Sequence, residues 1–408
     1  MNTRRAMPDV AIGGGGMIGA ACALALAQKG FEVVLIEARE PAPWRAEDRE
    51  DLRVIALAPS SAKLLDGLGV WNPVRDARVS PYAHMHVWDA ESGAELHFDA
   101  TQEGRAELGW IVENKLLQWT LWQALDQAGV RRVCPGELRD FEARADRVSL
   151  DLSDGEPLSA RVLVIADGAK STLRDKAGIA TRGREYAQRA VVAHVATERP
   201  HEATAWQRFL SEGPIALLPL RDGRSSIVWT LPETEAQRVL ALDDTAFCEA
   251  VGLATDFRLG RVTGTTPRAS FPLRLQLAKT YASERCVLLG DAAHAVHPLA
   301  GQGANLGLRD VAELVSVLGD ARDASRDFAA AHVLQRYARR RRSADTLDAL
   351  SFDALSRTFA WRAPPLVALR GLGMRAVDAL GPVKRKLVAH AAGRCHALGQ
   401  APSRLGGR

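Results

Sequence analysis

Six residues near the amino terminus, Gly14-Gly15-Gly16-Met17-Ile18-Gly19, have the spacing needed to hold a pyrophosphate. Gly14 permits a tight turn, Gly16 lets the backbone approach the phosphates with no side chain between, and Gly19 allows close packing of helix on strand. The free N–H groups opening that helix add a partial positive charge. Glu37 stands where a second strand should end, so its carboxylate can accept hydrogen bonds from ribose hydroxyls and repel a 2′-phosphate. The pattern marks a dinucleotide site. It does not by itself separate a nicotinamide from a flavin dinucleotide.

A second constellation lies far downstream. Gly290-Asp291 follows an apolar run, residues 286–289, and a glycine-rich stretch then continues to Asp310. A carboxylate at a strand's end can bind a sugar-like hydroxyl chain, which suits Asp291. The N–H groups of Gly303 and Ala304, where a helix opens, can face a developing negative charge. Asp291, His294 and His297 are spaced as if for a metal, but Pro298 and the glycines make the segment a turn, so no metal is expected. His294 reads as a hydrogen-bonded structural histidine, and His297 with Pro298 as wall residues of an active site.

These residues need a scaffold. Residues 9–12 and 31–36 are apolar runs suited to buried parallel strands, and residues 17–28 are an Ala- and Leu-rich helix closed by Gly30, which together make a βαβ unit. Residues 116–127 have helical spacing, and residues 148–152 and 162–166 read as strands. Between 186 and 271, short strand-like runs alternate with polar turns, predicting an antiparallel sheet. A helix begins near Gly303. After Phe328 the pattern is helical, broken at Pro364–Pro365 and at Gly381–Pro382. Trp119, Trp122 and Trp229 sit in apolar patterns and read as core. Lys170, Ser171 and Arg174 read equally well as a functional group or as a solvated helix start.

The chain has 408 residues, 47% of them hydrophobic and 25% charged, an ordinary globular composition that excludes dominant disorder. Five dispersed cysteines with no CxxC pair argue against a disulfide framework, a zinc ribbon and a dithiol enzyme, and favour a reducing cytoplasm. No signal peptide or run long enough to span a bilayer is legible. Of the 53 Lys and Arg, 15 fall after residue 330 against 4 Asp and Glu, so the basic excess is confined to the last fifth of the chain. The Arg339–Arg342 run reads as a charged helix face, and nucleic acid is not expected as a partner. Around residues 366–387, apolar and basic residues mix at helical spacing. That pattern fits peripheral contact with an anionic membrane, and equally a homo-oligomer interface or a helix packed on the core.

The three motifs together resemble the class A flavoprotein monooxygenases, aromatic hydroxylases with one FAD. GGGMIG with Glu37 matches the first motif of that family, VIADGAKSTLR (164–174) its DG motif and GDAAHAVHP its GD motif. Gly13 and Ile165 depart from the usual pattern, each beside a functional position. The longer HPLAGQGANLGLRD is similar to the ubiquinone-biosynthesis hydroxylases, as are DLRVIAL (51–57), LGWIVENKLLQ (108–118) and the late LRGLG (369–373).

The resemblance implies an α/β fold: a Rossmann-like FAD-binding domain (1–80, 100–185 and 275–335), an inserted antiparallel substrate-binding sheet (81–99 and 186–274), and a C-terminal helical segment (336–408). It implies non-covalent FAD, NADPH or NADH as a transient reductant, and O₂ as co-substrate. FAD contacts are implied for Gly14, Gly16, Gly19, Glu37, Arg53, Asn114, Asp167, Gly290 and Asp291, with Gly301, Gly303, Ala304 and Asn305 at the pyrimidine edge of the flavin. The implied reaction passes through a C4a-hydroperoxyflavin to hydroxylate a polyprenyl phenol or benzoquinol, at the inner face of the membrane or among other ubiquinone-biosynthesis proteins. A flavin oxidoreductase of prenyl-reductase or halogenase type, or an idle FAD-bound scaffold, would share the same motifs.

Overall fold

The computed structural model describes residues 7–153, 158–295 and 302–393. The chain opens with β1 (Val10–Gly13), α1 (Met17–Gln28) and β2 (Val33–Ile36). Both strands are buried along their whole length and pair in parallel, Val10 opposite Val33. Continuous apolar strands of this kind require cover on both faces. α1 supplies part of it, burying Gly19 to Leu26, and the chain turns out of the helix at Gly30, whose φ is +80°.

The parallel sheet then grows outward. Arg131–Val133 adds beside β2, Val162–Ile165 beside β1, and Cys286–Leu288 beside that. The glycine turn, the DG segment and the GD segment therefore leave the carboxyl ends of three adjacent parallel strands. Open α/β sheets bind their ligands at that edge.

A small three-stranded sheet is separate: β3 (Val54–Leu57) pairs with Gly109–Glu113, which brings the DLRVIAL and LGWIVENKLLQ segments together before α2 (Asn114–Gln127), and Val79–Tyr82 pairs on the other side. A larger second sheet is built from other strands. β4 (His84–Asp89) and β5 (Glu95–Asp99) form a hairpin. β6 (Thr181–Thr197), β7 (Thr204–Leu210), β8 (Gly213–Pro219), β9 (Ser225–Pro232) and β10 (Ala269–Ala278) complete the main body of the sheet in the order β10-β6-β9-β8-β7-β4-β5. Neighbours are antiparallel as expected, except β7 and β4, which run parallel with Trp206 opposite His86. Val191, Val195, Ile215 and Ile227 pack one face against the helices Glu233–Ala241 and Asp244–Ala254.

The C-terminal part is helical: α3 (Gln302–Asp323), α4 (Ala331–Phe359), α5 (Pro364–Ala379) and α6 (Gly381–Ala391). Prolines in the first turns of α5 and α6 occupy positions where no helical N–H bond is lost. Trp122 and Trp229 are core residues, but Trp119 is only partly buried. The Arg339–Arg342 run is not a uniform charged face. Arg339, Arg340 and Arg342 are exposed, while Arg341 is buried.

Candidate active site

Three glycines of the first turn are required for different reasons. Gly14 has a φ of +106°, and a Cβ there would lie 2.5 Å from the carbonyl oxygen of Ala166. A Cβ on Gly19 would fall 1.9 Å from the Gly14 carbonyl oxygen. Gly16 is the opposite case, because a Cβ there would meet nothing within 4 Å. Packing within the protein demands Gly14 and Gly19, and leaves open space in front of Gly16. The turn is pinned at Gly15: its N–H donates to Glu37 Oε2 at 2.5 Å, and its carbonyl accepts from Trp122 Nε1 at 2.7 Å and Gln118 Nε2 at 3.4 Å. Trp122 and Gln118 lie one turn apart on α2. Their spacing on one helix face was the available signal, but nothing in sequence says that this face meets the glycine turn.

Arg53 and Asn114 are brought together, the Asn114 N–H donating to the Arg53 carbonyl at 2.9 Å. Arg53 is exposed. Asp51 braces the junction, accepting from the N–H groups of Arg53 and Lys115 at 2.9 and 3.0 Å. Asp167 is exposed just past Val162–Ile165, and its carboxylate faces the Leu173 N–H at 3.5 Å. Ser171 caps the short helix Thr172–Lys176, accepting from the Arg174 N–H at 2.9 Å. Arg174 is buried and reaches the Ala292 carbonyl at 3.4 Å, tying the DG segment to the GD segment. Lys170 is exposed.

The GD turn rests on a buried ionic network. Gly290, with φ of +59°, donates its N–H to Asp310 Oδ2 at 3.0 Å. The same oxygen meets His294 Nε2 at 2.6 Å, and Asp310 Oδ1 accepts from Arg341 Nε at 2.6 Å. Arg341 also donates to Asp345. Burial alone would lower the pKa of His294, but Asp310 and Asp345 outweigh it and raise the pKa to about 9. Burial, reinforced by Asp310, pushes the Asp345 carboxyl up to about 7. His294 is thus the hydrogen-bonded structural histidine expected, buried away from the exposed Asp291.

The Asn305 side chain is fully occupied within the protein. Its side-chain oxygen accepts from the Ala58 N–H and the Ser61 hydroxyl, both at 2.8 Å, and its amide donates to the Ala56 carbonyl at 2.8 Å. Those bonds lock the start of α3 to the end of β3. Gly303 and Ala304 lie half-buried in the first turn of α3. His297, Pro298 and Gly301 lie outside the described residues.

Residues 7–347 match the family described as FAD binding domain. The chain belongs to the FAD-binding monooxygenase family. It is 39% identical over 386 residues to 3-demethoxyubiquinol 3-hydroxylase of Escherichia coli, covering 94% of this chain and 98% of that one. It is 38% identical to ubiquinone hydroxylase UbiL of Rhodospirillum rubrum, over 97% of this chain and 92% of the relative. Among solved structures, p-nitrophenol 4-monooxygenase PnpA of Pseudomonas putida matches in fold with a TM-score of 0.73 at 17% identity, over 94% of this chain and 97% of that chain.

As an FAD monooxygenase the chain must offer a phosphate cradle, and the open space before Gly16 fits one. When bound, FAD carries electrons from NADH or NADPH to O₂ and so supplies the oxygen that is inserted. The protein supplies the enclosure. Beside Arg53 and β3 lies a cavity of about 400 Å³, walled by Val192, Thr230 and Phe271 on the inner face of the second sheet. A second cavity of about 570 Å³ lies between that sheet and the C-terminal helices. The two share Ala56, Tyr82, Met85, Gln207 and Ala391 as walls. Enclosure pushes the Tyr82 phenol up to about 12, so its hydroxyl keeps its proton at neutral pH.

Proposed function

We propose that this chain hydroxylates a prenylated phenol or benzoquinol intermediate of ubiquinone biosynthesis. The observation that carries this reading is the near-complete overlap, at 39% identity, with a relative named for hydroxylating demethoxyubiquinol. In this reading residues 1–80, 100–185 and 275–335 act as the FAD-binding domain, residues 81–99 and 186–274 as the substrate domain, and residues 336–408 as a C-terminal segment.

FAD then lies with its pyrophosphate before Gly16, between the turn at Gly14 and the first turn of α1, and its adenosine ribose on Glu37. Asp291 beside Gly290 takes the ribitol chain, and Arg53, Asn114 and Asp167 border the cofactor. The backbone of Gly303, Ala304 and Asn305 faces the pyrimidine edge. The apolar cavity lining keeps the reacting centre dry, which favours oxygen transfer over loss as hydrogen peroxide.

No described helix is long and apolar enough to cross a membrane, yet a prenylated substrate partitions into lipid. α5, α6 and the Leu380 that joins them expose Leu369, Leu372, Leu380 and Leu387 together with Arg375, Arg385 and Lys386, a surface suited to resting on anionic lipid. Two basic residues expected on this surface serve elsewhere. Arg370 is buried on Asp89, and Lys384 pairs with Asp378 at 2.8 Å.

Deletion of the gene, followed by mass spectrometry of lipid extracts, should reveal a prenylated intermediate lacking one ring oxygen. Purified holoenzyme given isotopically heavy O₂ should place one heavy oxygen on that intermediate. An unchanged quinone profile would overturn the reading.

A further inference from the structure

The late LRGLG segment builds the roof of the 570 Å³ cavity. Arg370 donates from Nε and Nη2 to the two carboxylate oxygens of Asp89, both at 2.9 Å, in a fully enclosed pair. Its remaining nitrogen bonds the carbonyls of Thr358, Phe359 and Trp361, so one residue ties α5 to the end of α4 and to β4. Gly371 lets α5 lie against the β4–β5 turn, where a Cβ would come 2.8 Å from Ser92 Cβ. Gly373 borders the cavity, and a Cβ there would meet nothing within 4 Å. Helix and sheet are thus clamped at one end and held apart beyond it.

The space between them is apolar. Phe209 and Phe359 stack at 3.8 Å along one side, and Met85, Leu96, Phe98 and Met374 complete much of the lining. The charged groups in its wall are occupied with one another: Arg370 with Asp89, and Asp348 with Arg309 at 3.3 Å and His390 at 2.7 Å. The outer end is bordered by Val377 and the exposed Leu387, within the same leucine-bearing surface of α5 and α6. At the inner end the cavity shares Tyr82, Met85 and Gln207 with the chamber beside Arg53.

We infer that this cavity seats the isoprenoid chain of the substrate, while the aromatic ring occupies the adjoining chamber beyond Gln207. This rests on the reading of the substrate as prenylated, and adds where the chain lies and what limits its length. An apolar slot gains affinity with every methylene it removes from water, whereas a ring-only ligand leaves it empty. Gly373 and Leu96, on opposite walls, then act as determinants of chain length.

The test measures dissociation constants of holoenzyme for phenol, 2-geranylphenol and 2-farnesylphenol, read from the flavin absorbance change. Affinity should rise by about tenfold or more from phenol to the farnesyl compound. In Gly373→Phe and Leu96→Trp most of that gain should vanish, with FAD content and phenol binding unchanged. Farnesol, a chain without a ring, should compete with farnesylphenol and not with phenol in the unmodified enzyme, an arm that needs no variant to fold. If the gain survives in both variants, if no gain exists, or if farnesol fails to compete, the assignment is wrong. The wider ubiquinone reading would then still stand or fall on the deletion strain's lipid profile.

Discussion

Arg341 Nε lies 2.6 Å from Asp310 Oδ1, and the other oxygen of that carboxylate holds the Gly290 N–H at 3.0 Å. A guanidinium on α4 is therefore two bonds removed from the backbone of the GD turn. Replacing Arg341 with Met should leave two buried carboxylates without the guanidinium they share and cost about 3–5 kcal/mol. Urea unfolding measures this directly, and a variant as stable as the parent would show that the network contributes nothing net. Asp310→Asn in the same background should recover part of the loss.

The network also fixes a pH dependence. His294 has a folded-state pKa raised from its ordinary 6.5 to about 9, so its stabilising contribution is complete below about 6.5 and is lost as pH rises through about 9. The raised carboxyl of Asp345 works in the same direction, since the folded protein holds that proton up to about pH 7 while an unfolded chain has released it near 3.8. The contribution of these two groups should thus decline from about pH 4 to pH 9. A His294→Gln variant should lose the upper part of the slope, between about 6.5 and 9. Melting temperatures across a buffer series decide it, and an identical slope in the variant would contradict the assignment.

The glycine turn separates folding from cofactor binding. Gly16→Val should fold normally, because a Cβ there meets nothing within 4 Å, yet it should be isolated colourless. Gly19→Val should fail to fold, because its Cβ would overlap the Gly14 carbonyl oxygen at 1.9 Å. Circular dichroism beside flavin absorbance distinguishes the two. A yellow Gly16→Val protein would remove the pyrophosphate from that position.

Trp122→Phe keeps most of the buried ring but deletes the bond to the Gly15 carbonyl. One neutral hydrogen bond is worth about 0.5–1.5 kcal/mol, so FAD affinity should drop by roughly two- to tenfold. Asp291→Ala, which removes a charged acceptor, should cost about 1.5–3 kcal/mol by the same titration. Equal effects from the two would mean that Asp291 does not hold the cofactor.

The exposed leucines and basic residues of α5 and α6 predict salt-sensitive sedimentation with anionic liposomes. Changing Arg385 and Lys386 to Glu should abolish it at unchanged flavin content. Equal binding by the variant, or none by the parent, would leave that surface without a lipid role.

The parts of the fold set by local backbone chemistry were legible in the sequence. Gly14 and Gly290 mark turns that favour glycine, Gly19 marks a close approach of helix to backbone, and the prolines at 364 and 382 mark helix starts. The rest depends on helical phase and on distant pairing. Four consecutive arginines at 339–342 look alike, and only the way α4 lies on the core turns Arg341 inward. Trp122 reads correctly as core, but its indole N–H bonds a residue in another segment. Asn305 was placed by its motif, while its side chain answers to β3. No periodicity could announce that β4 would lie parallel to β7.

The clamp between Asp89 and Arg370 has a further consequence for how the molecule is made. The carboxylate sits on an early strand and its partner enters only when the last fifth of the chain has been synthesised. Until then β4 carries a charge destined for burial, and Val87, Leu96 and Phe209 lie beside it with no helices over them. A nascent chain that pauses before residue 364 would present an open, greasy sheet face, the kind of surface that chaperones hold and that aggregates nucleate on. Helices α5 and α6 are therefore what closes that face.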